Sequence, residues 1–422
     1  MIKRQIFEEL KDHLDKKEIS LIVGPRQAGK TTLMRLLQDR VEAFGKKTVF
    51  LNLDVESDRQ FFVSQNQLLR KIALEIGESE GVVFIDEIQR KEDAGLFLKG
   101  LFDMNLPYKF VVSGSGSVEL KEKIHESLAG RKRVFELSTV NFVEFVNYKT
   151  DYRYEKNLSE FFELDREETQ RLLEEYLSFG GYPRVILEQK VEDKRKIMAE
   201  LYQSYLERDI STLLGVQKTE SFTALVRLMA SQIGNLVNVS ELSNTLRISA
   251  ATVNDYLWYM QKTFLIEKVT PYFKNIRKEI TKSPIYYFCD LGMRNYALGN
   301  FGSVPVNNEM GFLFQNFIYR LVRSKTENSS TQVHFWRTTD KAEVDFVLDK
   351  LSEVVPIEVK YKKLTELTVT RSFKSFVSKY RPKLGYLIHI GEEGERTVGD
   401  TNVSFLPYYK FLSEESEIKP VT

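Results

Sequence analysis

At 422 residues the chain is too long for one ordinary core, so two or three domains are expected. Hydrophobic residues make up 42% of it, which excludes wholesale disorder. Its 61 basic and 60 acidic residues exclude a global pull toward nucleic acid, so any such site must be a local patch.

The single cysteine, Cys289, excludes an intrachain disulfide framework and suits a reducing compartment. His13, His125, His334 and His389 are scattered and offer no zinc spacing. No apolar run reaches about 18 residues, so no membrane span is expected. The opening MIKRQIFEELKDHL places charges among apolar residues at helical spacing and lacks the apolar core of a secretory signal. A cytoplasmic protein is expected.

Strands are predicted at Ile19–Val23, Thr48–Leu53, Val82–Asp86, Lys109–Val112 and Arg133–Leu137, with helical patterns between them. That alternation predicts a parallel sheet with helices on both faces. Gly24-Pro25-Arg26-Gln27-Ala28-Gly29-Lys30-Thr31 fits G-x-x-x-x-G-K-[ST] between the first strand and a helix, with Thr32 next. Its glycines let backbone N–H groups turn toward phosphate oxygens. Lys30 brings positive charge to the β- and γ-phosphates, and the Thr31 hydroxyl can ligate magnesium. ATP and Mg2+ are the expected cofactors. Asp86 ends the buried strand VVFID, where it would hold the magnesium through water, and Glu87 beside it can polarise the attacking water. In SGSGSVEL, Ser113 or Ser115 would lie beside the γ-phosphate, or simply shape a turn. In SLAGRKRVFEL, Arg131 or Arg133 would stabilise charge in phosphoryl transfer, within the subunit or across an interface of a homo-oligomer.

From about 150 to 235 the sequence turns helical and highly charged. Val237–Val269 reads as helix, turn, helix and strand, with Ser240 and Ser249 as N-caps: a helix-turn-helix pattern with a wing. Its second helix has no Lys or Arg over Ala250–Tyr259, which favours a structural or protein-contact role over DNA binding. The basic stretch Lys274–Lys282 is where a wing would touch DNA.

After a long helix over Asn308–Ser324, HFWR, AEVDFVL and VVPIEVKY read as three strands, then a helix and a strand. Glu358 and Lys360 leave one face of a strand, and Asp345 on its neighbour reaches the same face. Two carboxylates and a lysine form a metal-assisted phosphodiesterase constellation, with Asp345 and Glu358 as ligands and Lys360 helping to activate water. Residues 360–383 hold eight Lys or Arg against one Glu, with aromatic residues between them, which suits a DNA or RNA surface.

GPRQAGKTTLM, FIDEIQ, SGSGSVEL, SLAGRKRVFELSTVNFVEF and SFGGYPRVI, in that order, resemble an archaeal and bacterial AAA+-superfamily ATPase family with a C-terminal DUF4143 region. The resemblance spans nearly the whole chain. It implies ATP binding and hydrolysis. The D-x(12)-E-x-K pattern resembles the PD-(D/E)XK nuclease fold, as the family is known to do. That resemblance also places a glutamate in the preceding helix, where this chain has Gln315, with Glu309 earlier on the helix. The expected α/β architecture is a P-loop ATPase domain (1–148), a helical lid (149–235), a winged-helix-like unit (236–290) and a restriction-endonuclease-like domain (291–422). The leading function is an ATP-driven switch or motor. The alternatives are an ATP-gated nuclease and a non-hydrolysing nucleotide-dependent binding module.

Overall fold

A computed structural model describes the chain except residues 78, 116–127, 212–218, 274, 276–278, 280, 281, 304–307, 328, 365 and 413–422. The chain divides into two compact units. One comprises Met1–Tyr148, Gly181–Thr219 and Asp255–Leu265; the other comprises Lys149–Gly180, Glu220–Asn254 and Ile266–Thr422. Among the described residues no helix is long and apolar enough to cross a membrane.

The first unit is built on β1 (Ile19–Gly24), β2 (Lys47–Asn52), β3 (Gly81–Asp86), β4 (Tyr108–Ser115) and β5 (Lys132–Glu136). They form a parallel sheet in the order β2-β3-β4-β1-β5. β1 and β3 are buried along their whole length, which is why their sequences are continuous apolar runs rather than alternating ones. β4 lies between the strand that leads into the phosphate loop and the strand that carries Asp86. It runs farther than the predicted Lys109–Val112, so Ser113 and Ser115 belong to the strand and not to a turn after it.

In the second unit, β6 (Ile266–Val269) pairs antiparallel with β7 (Ile285–Phe288). A six-stranded sheet runs β12-β13-β11-β10-β9-β8, with β8 (Gln332–Arg337), β9 (Glu343–Asp349), β10 (Val354–Val359), β11 (Leu384–His389), β12 (Gly394–Val398) and β13 (Thr401–Pro407). The helix Asn308–Thr326 precedes β8, and the helix Arg371–Tyr380 joins β10 to β11, so the predicted αβββαβ order is present. The second helix starts where the Thr370 hydroxyl accepts from the Phe373 N–H, and it buries Phe373, Phe376 and Val377.

Helices Val239–Leu246 and Ala250–Lys262 flank a turn in which Arg247 is left-handed (φ 54°). The cap of the first is Asn238 rather than Ser240: its side-chain oxygen accepts from the N–H of Ser240 and Glu241. An amide oxygen one residue before the helix reaches both orphan donors, which the serine inside the helix cannot. Ser249 does cap the second helix, accepting from the Thr252 N–H at 3.0 Å. Most of the basic stretch 274–282 lies outside the described residues.

The first sheet is anchored at its lower edge by a buried polar trio. His13 Nδ1 lies 2.8 Å from Ser20 Oγ on β1 and 3.1 Å from Lys109 Nζ on β4. Burial, and then the positive charge of Lys109, push the imidazole down to about 4. His13 is therefore neutral in the fold, whereas in the unfolded chain it takes a proton near its ordinary value of about 6.5. A lowered folded-state value means that stability is complete above about pH 6.5 and is lost as pH falls toward about 4. In denaturant melts the wild type should lose about 2 kcal/mol more stability than His13→Gln between pH 7.5 and pH 5.

Candidate nucleotide site

The phosphate loop leaves the top of β1. Gly24 sits where a Cβ would lie 2.1 Å from the Leu137 carbonyl oxygen, so no other residue fits there without moving backbone. That contact accompanies the bond from the Leu137 N–H to the Val23 carbonyl at 2.8 Å. Gly29 adopts φ 100° as the helix Lys30–Ala43 begins, a conformation that favours glycine. The Lys30 ammonium is buried and donates to the carbonyls of Gly24 (3.0 Å) and Pro25 (2.8 Å).

Asp86, wholly buried at the end of β3, receives the Thr31 hydroxyl at 2.6 Å. The Ser113 hydroxyl donates to its other oxygen. Thr31 and Asp86, predicted from segments some fifty residues apart, thus meet in one place, and their oxygen donors suit a hard cation such as magnesium. Glu87 follows with φ 58°, a left-handed conformation uncommon for a residue with a side chain. Its backbone N–H is held by Asp86 Oδ1 (3.1 Å) and Ser113 Oγ (3.4 Å), and the Gln89 amide bonds its carboxylate. Burial, then the charge of Asp86, raise the Glu87 pKa; the Gln89 hydrogen bond and Lys30 oppose them. Ser115 lies opposite Gly24 in the β1–β4 register. Its N–H donates to Gln89 Oε1 at 3.2 Å, and its buried hydroxyl has no hydrogen-bond partner among the described residues.

Arg26 through Thr32 and Glu87 line a cavity of about 440 Å³. Sequence reasoning missed the rest of its wall. Met1, Ile2, Leu36 and Leu187 supply apolar surface, and Arg184 supplies charge. Arg184 sits on the helix Pro183–Leu187, within the SFGGYPRVI segment, and bonds Gln27 Oε1 (3.0 Å) and Glu200 (3.1 Å). Its Pro at the start of a helix was a visible helix signal, but nothing local joined it to a loop some 150 residues earlier.

Arg131 is not brought to this cavity. Its carbonyl accepts from the Ile19 N–H at the opposite end of β1, roughly 16 Å from the phosphate loop at about 3.3 Å per residue. Its guanidinium pairs with Asp103 at 2.8 Å. Arg133 lies 3.6 Å from Glu9.

In the second unit the structure brings together Asp345, Glu358 and Lys360. The Lys360 ammonium lies 2.9 Å from Glu358 Oε1, and the Thr370 hydroxyl donates to Glu358 Oε2 at 2.9 Å. Asp345 accepts from the Gln315 amide (2.8 Å) and the Val359 N–H (2.7 Å). Burial carries the Asp345 pKa up to about 7, against the pull of Lys360 and the Val359 N–H. Burial disfavours the Lys360 ammonium, but Glu358 and Asp345 outweigh it and raise its pKa. Glu309 is engaged elsewhere, with Arg294 at 2.8 Å and Asn300 at 3.3 Å. Among the described residues no group of three metal-binding side chains occurs.

Residues 16–146 match the family model of the AAA domain, 170–303 match a domain of unknown function (DUF8612), and 310–411 match a domain of unknown function (DUF4143). An uncharacterized protein of Mycobacterium tuberculosis is 26% identical over 377 residues, covering 88% of this chain and 76% of the relative. One of Haemophilus influenzae is 26% identical over 372 residues, covering 86% and 87%. Among solved structures, the chain is similar to the Aeropyrum pernix Orc1 protein in complex with DNA, at 12% identity and TM-score 0.30, over 69% of this chain and 91% of that one. It is also similar to the replication initiator DnaA bound to AMPPCP and single-stranded DNA, at 16% identity and TM-score 0.32, over 62% and 90%. Those two likenesses are too distant to carry properties across. With its phosphate loop, its five-stranded parallel sheet and the matched regions in this order, the chain carries an AAA domain at residues 16–146 and, behind it, a DUF4143 region at residues 310–411.

Proposed function

We propose that this protein is a magnesium-dependent ATP-hydrolysing switch working in the cytoplasm. The observation that carries the reading is the meeting of Thr31 and Asp86 at 2.6 Å beside Lys30, with Glu87 on the wall of the same cavity. Lys30 and the loop from Gly24 to Thr32 hold the phosphates, and the helix Lys30–Ala43 points its positive end at them. Thr31 and Asp86 hold the magnesium, which neutralises phosphate charge when bound. Glu87 accepts a hydrogen bond from the attacking water, and its raised pKa makes that role sensitive to acid. The Ser115 hydroxyl orients that water or a γ-phosphate oxygen. Arg184, at the rim, reads the γ-phosphate by exchanging Gln27 for it. Met1, Ile2, Leu36 and Leu187 give the base an apolar wall. Arg131 acts on phosphate only across the interface of a homo-oligomer.

Lys30→Ala should weaken ATP binding by roughly a hundredfold or more, while Glu87→Gln should keep ATP bound and slow turnover at least about tenfold. Calorimetric titration and phosphate release check both. Normal turnover by Glu87→Gln removes that residue from the mechanism. Binding without turnover in the wild type would leave a nucleotide-dependent binding module.

A second reading concerns the DUF4143 region, whose helix Arg371–Tyr380 buries its aromatic face and exposes Arg371, Lys374 and Lys379. DNA or RNA is the proposed partner of this surface. Reversing Lys362, Lys363 and Lys374 to Glu should weaken binding of a labelled oligonucleotide. It should also flatten the log–log salt dependence by about 0.7–0.9 for each phosphate that is no longer neutralised. If substitutions at Asn254 and Tyr256 abolish binding and the reversals do not, the helix-turn-helix is the reader.

Asp345 and Glu358 are proposed as a weak divalent-cation site, with Lys360 beside it and cleavage low or conditional. Two carboxylates are few for such a site, and the Gln315 amide adds no charge. In a Lys30→Ala background without ATP, Asp345→Ala should abolish manganese binding heat, and Gln315→Glu should tighten binding by roughly tenfold. Equal heats from Asp345→Ala and its parent would remove the site.

A further inference from the structure

Arg4 belongs to no sequence motif of the nucleotide site but is part of the cavity wall, and its guanidinium is almost wholly buried (9% exposed) against the equally buried Glu144 (5%). Nε donates to Glu144 Oε2 at 3.0 Å. Nη1 donates to the Ala28 carbonyl at 3.0 Å, and Nη2 donates to the carbonyls of Ser138 (2.7 Å) and Thr139 (3.2 Å). One planar group therefore joins the phosphate loop to the segment that follows β5. Glu144 is itself held in place: its carboxylate accepts the N–H of Gln5 (2.7 Å) and of Asn141 (3.0 Å), and its own N–H donates to the Asn141 side chain.

The consequence lies in the peptide between Ala28 and Gly29. A trans peptide is rigid, so fixing the Ala28 carbonyl also fixes the direction of the Gly29 N–H. Packing does little there: a Cβ on Gly29 would meet only Pro183 Cγ, at 4.0 Å. Glycine is also the residue with the widest choice of φ and ψ. A loop that must present N–H groups to phosphate gains affinity when it is held in that shape beforehand.

We infer that Arg4, anchored by Glu144, is a positioning residue that sets the phosphate loop through the Ala28 carbonyl. The inference rests on the nucleotide reading above. Lysine keeps the charge at this position but cannot serve four acceptors from one planar fork. Inorganic pyrophosphate and adenosine, titrated separately into the full chain, divide the effect between the loop and the rest of the cavity.

Arg4→Lys should weaken ATP and pyrophosphate by a similar factor, about tenfold, while adenosine binding and the cooperativity of thermal unfolding stay as in the wild type. A general structural role would move adenosine as well. If Arg4→Lys does not fold, Glu144→Gln carries the test, with a smaller loss confined to ATP and pyrophosphate. Unchanged pyrophosphate affinity in a folded variant, or equal losses for adenosine and pyrophosphate, overturns the inference. A wild type that binds no ATP overturns the nucleotide reading and takes this inference with it.

Discussion

Everything at the nucleotide site depends on how the Asp86 carboxylate is accommodated inside the protein. A buried charge without partners is costly, and this one is wholly buried. Its partners are hydroxyls from two other segments, Thr31 at the start of a helix and Ser113 on β4. Both are in reach only because β4 lies between β1 and β3 in the sheet. Strand order, register and the point where the loop becomes a helix are thus tied to the solvation of one side chain. Slipping β4 by one residue would turn Ser113 to the other face of the sheet and remove a donor.

Much of this was legible in the sequence because it is local. The five strands of the first sheet appear within a few residues of their predicted limits, and β1 and β3 were the plainest, since fully buried strands are continuous apolar runs. The phosphate loop was equally plain, because its glycines, lysine and threonine have fixed spacing. Arg4 and Arg184 were not legible. An arginine carries no periodicity, and each acquires its position from a segment far away in the chain, Glu144 for one and Gln27 for the other. Arg131 illustrates the converse for a role within its own subunit. Its neighbourhood in the sequence looked suitable, but the direction of a parallel strand puts its start at the far edge from the loop.

The second unit repeats the lesson with a finer distinction. The order of helix and strands was readable, and so was the opposition of Asp345 and Glu358 across β9 and β10. What sequence could not supply was the set of bonds around them. Each carboxylate oxygen already accepts from a protein donor, whether Gln315, the Val359 N–H, Thr370 or Lys360. Anything that binds there competes with hydrogen bonds in place, which bears more directly on affinity than the presence of the acids does.

The same competition has a different outcome at Lys30. Its ammonium is bonded to the carbonyls of Gly24 and Pro25, the residues that begin its own loop. Arrival of a phosphate oxygen is therefore an exchange of acceptors at a cation that is already immobilised. Little side-chain entropy remains to be lost in that exchange, because the long flexible stem was ordered when the protein folded. The gain is the difference between an anionic acceptor and a neutral one at the same ammonium, which comes from the Coulomb attraction between opposite charges in a poorly solvated site. A loop built in this way discriminates by the charge of its guest. A neutral ligand of the same shape would have to displace two carbonyls and offer nothing stronger in return.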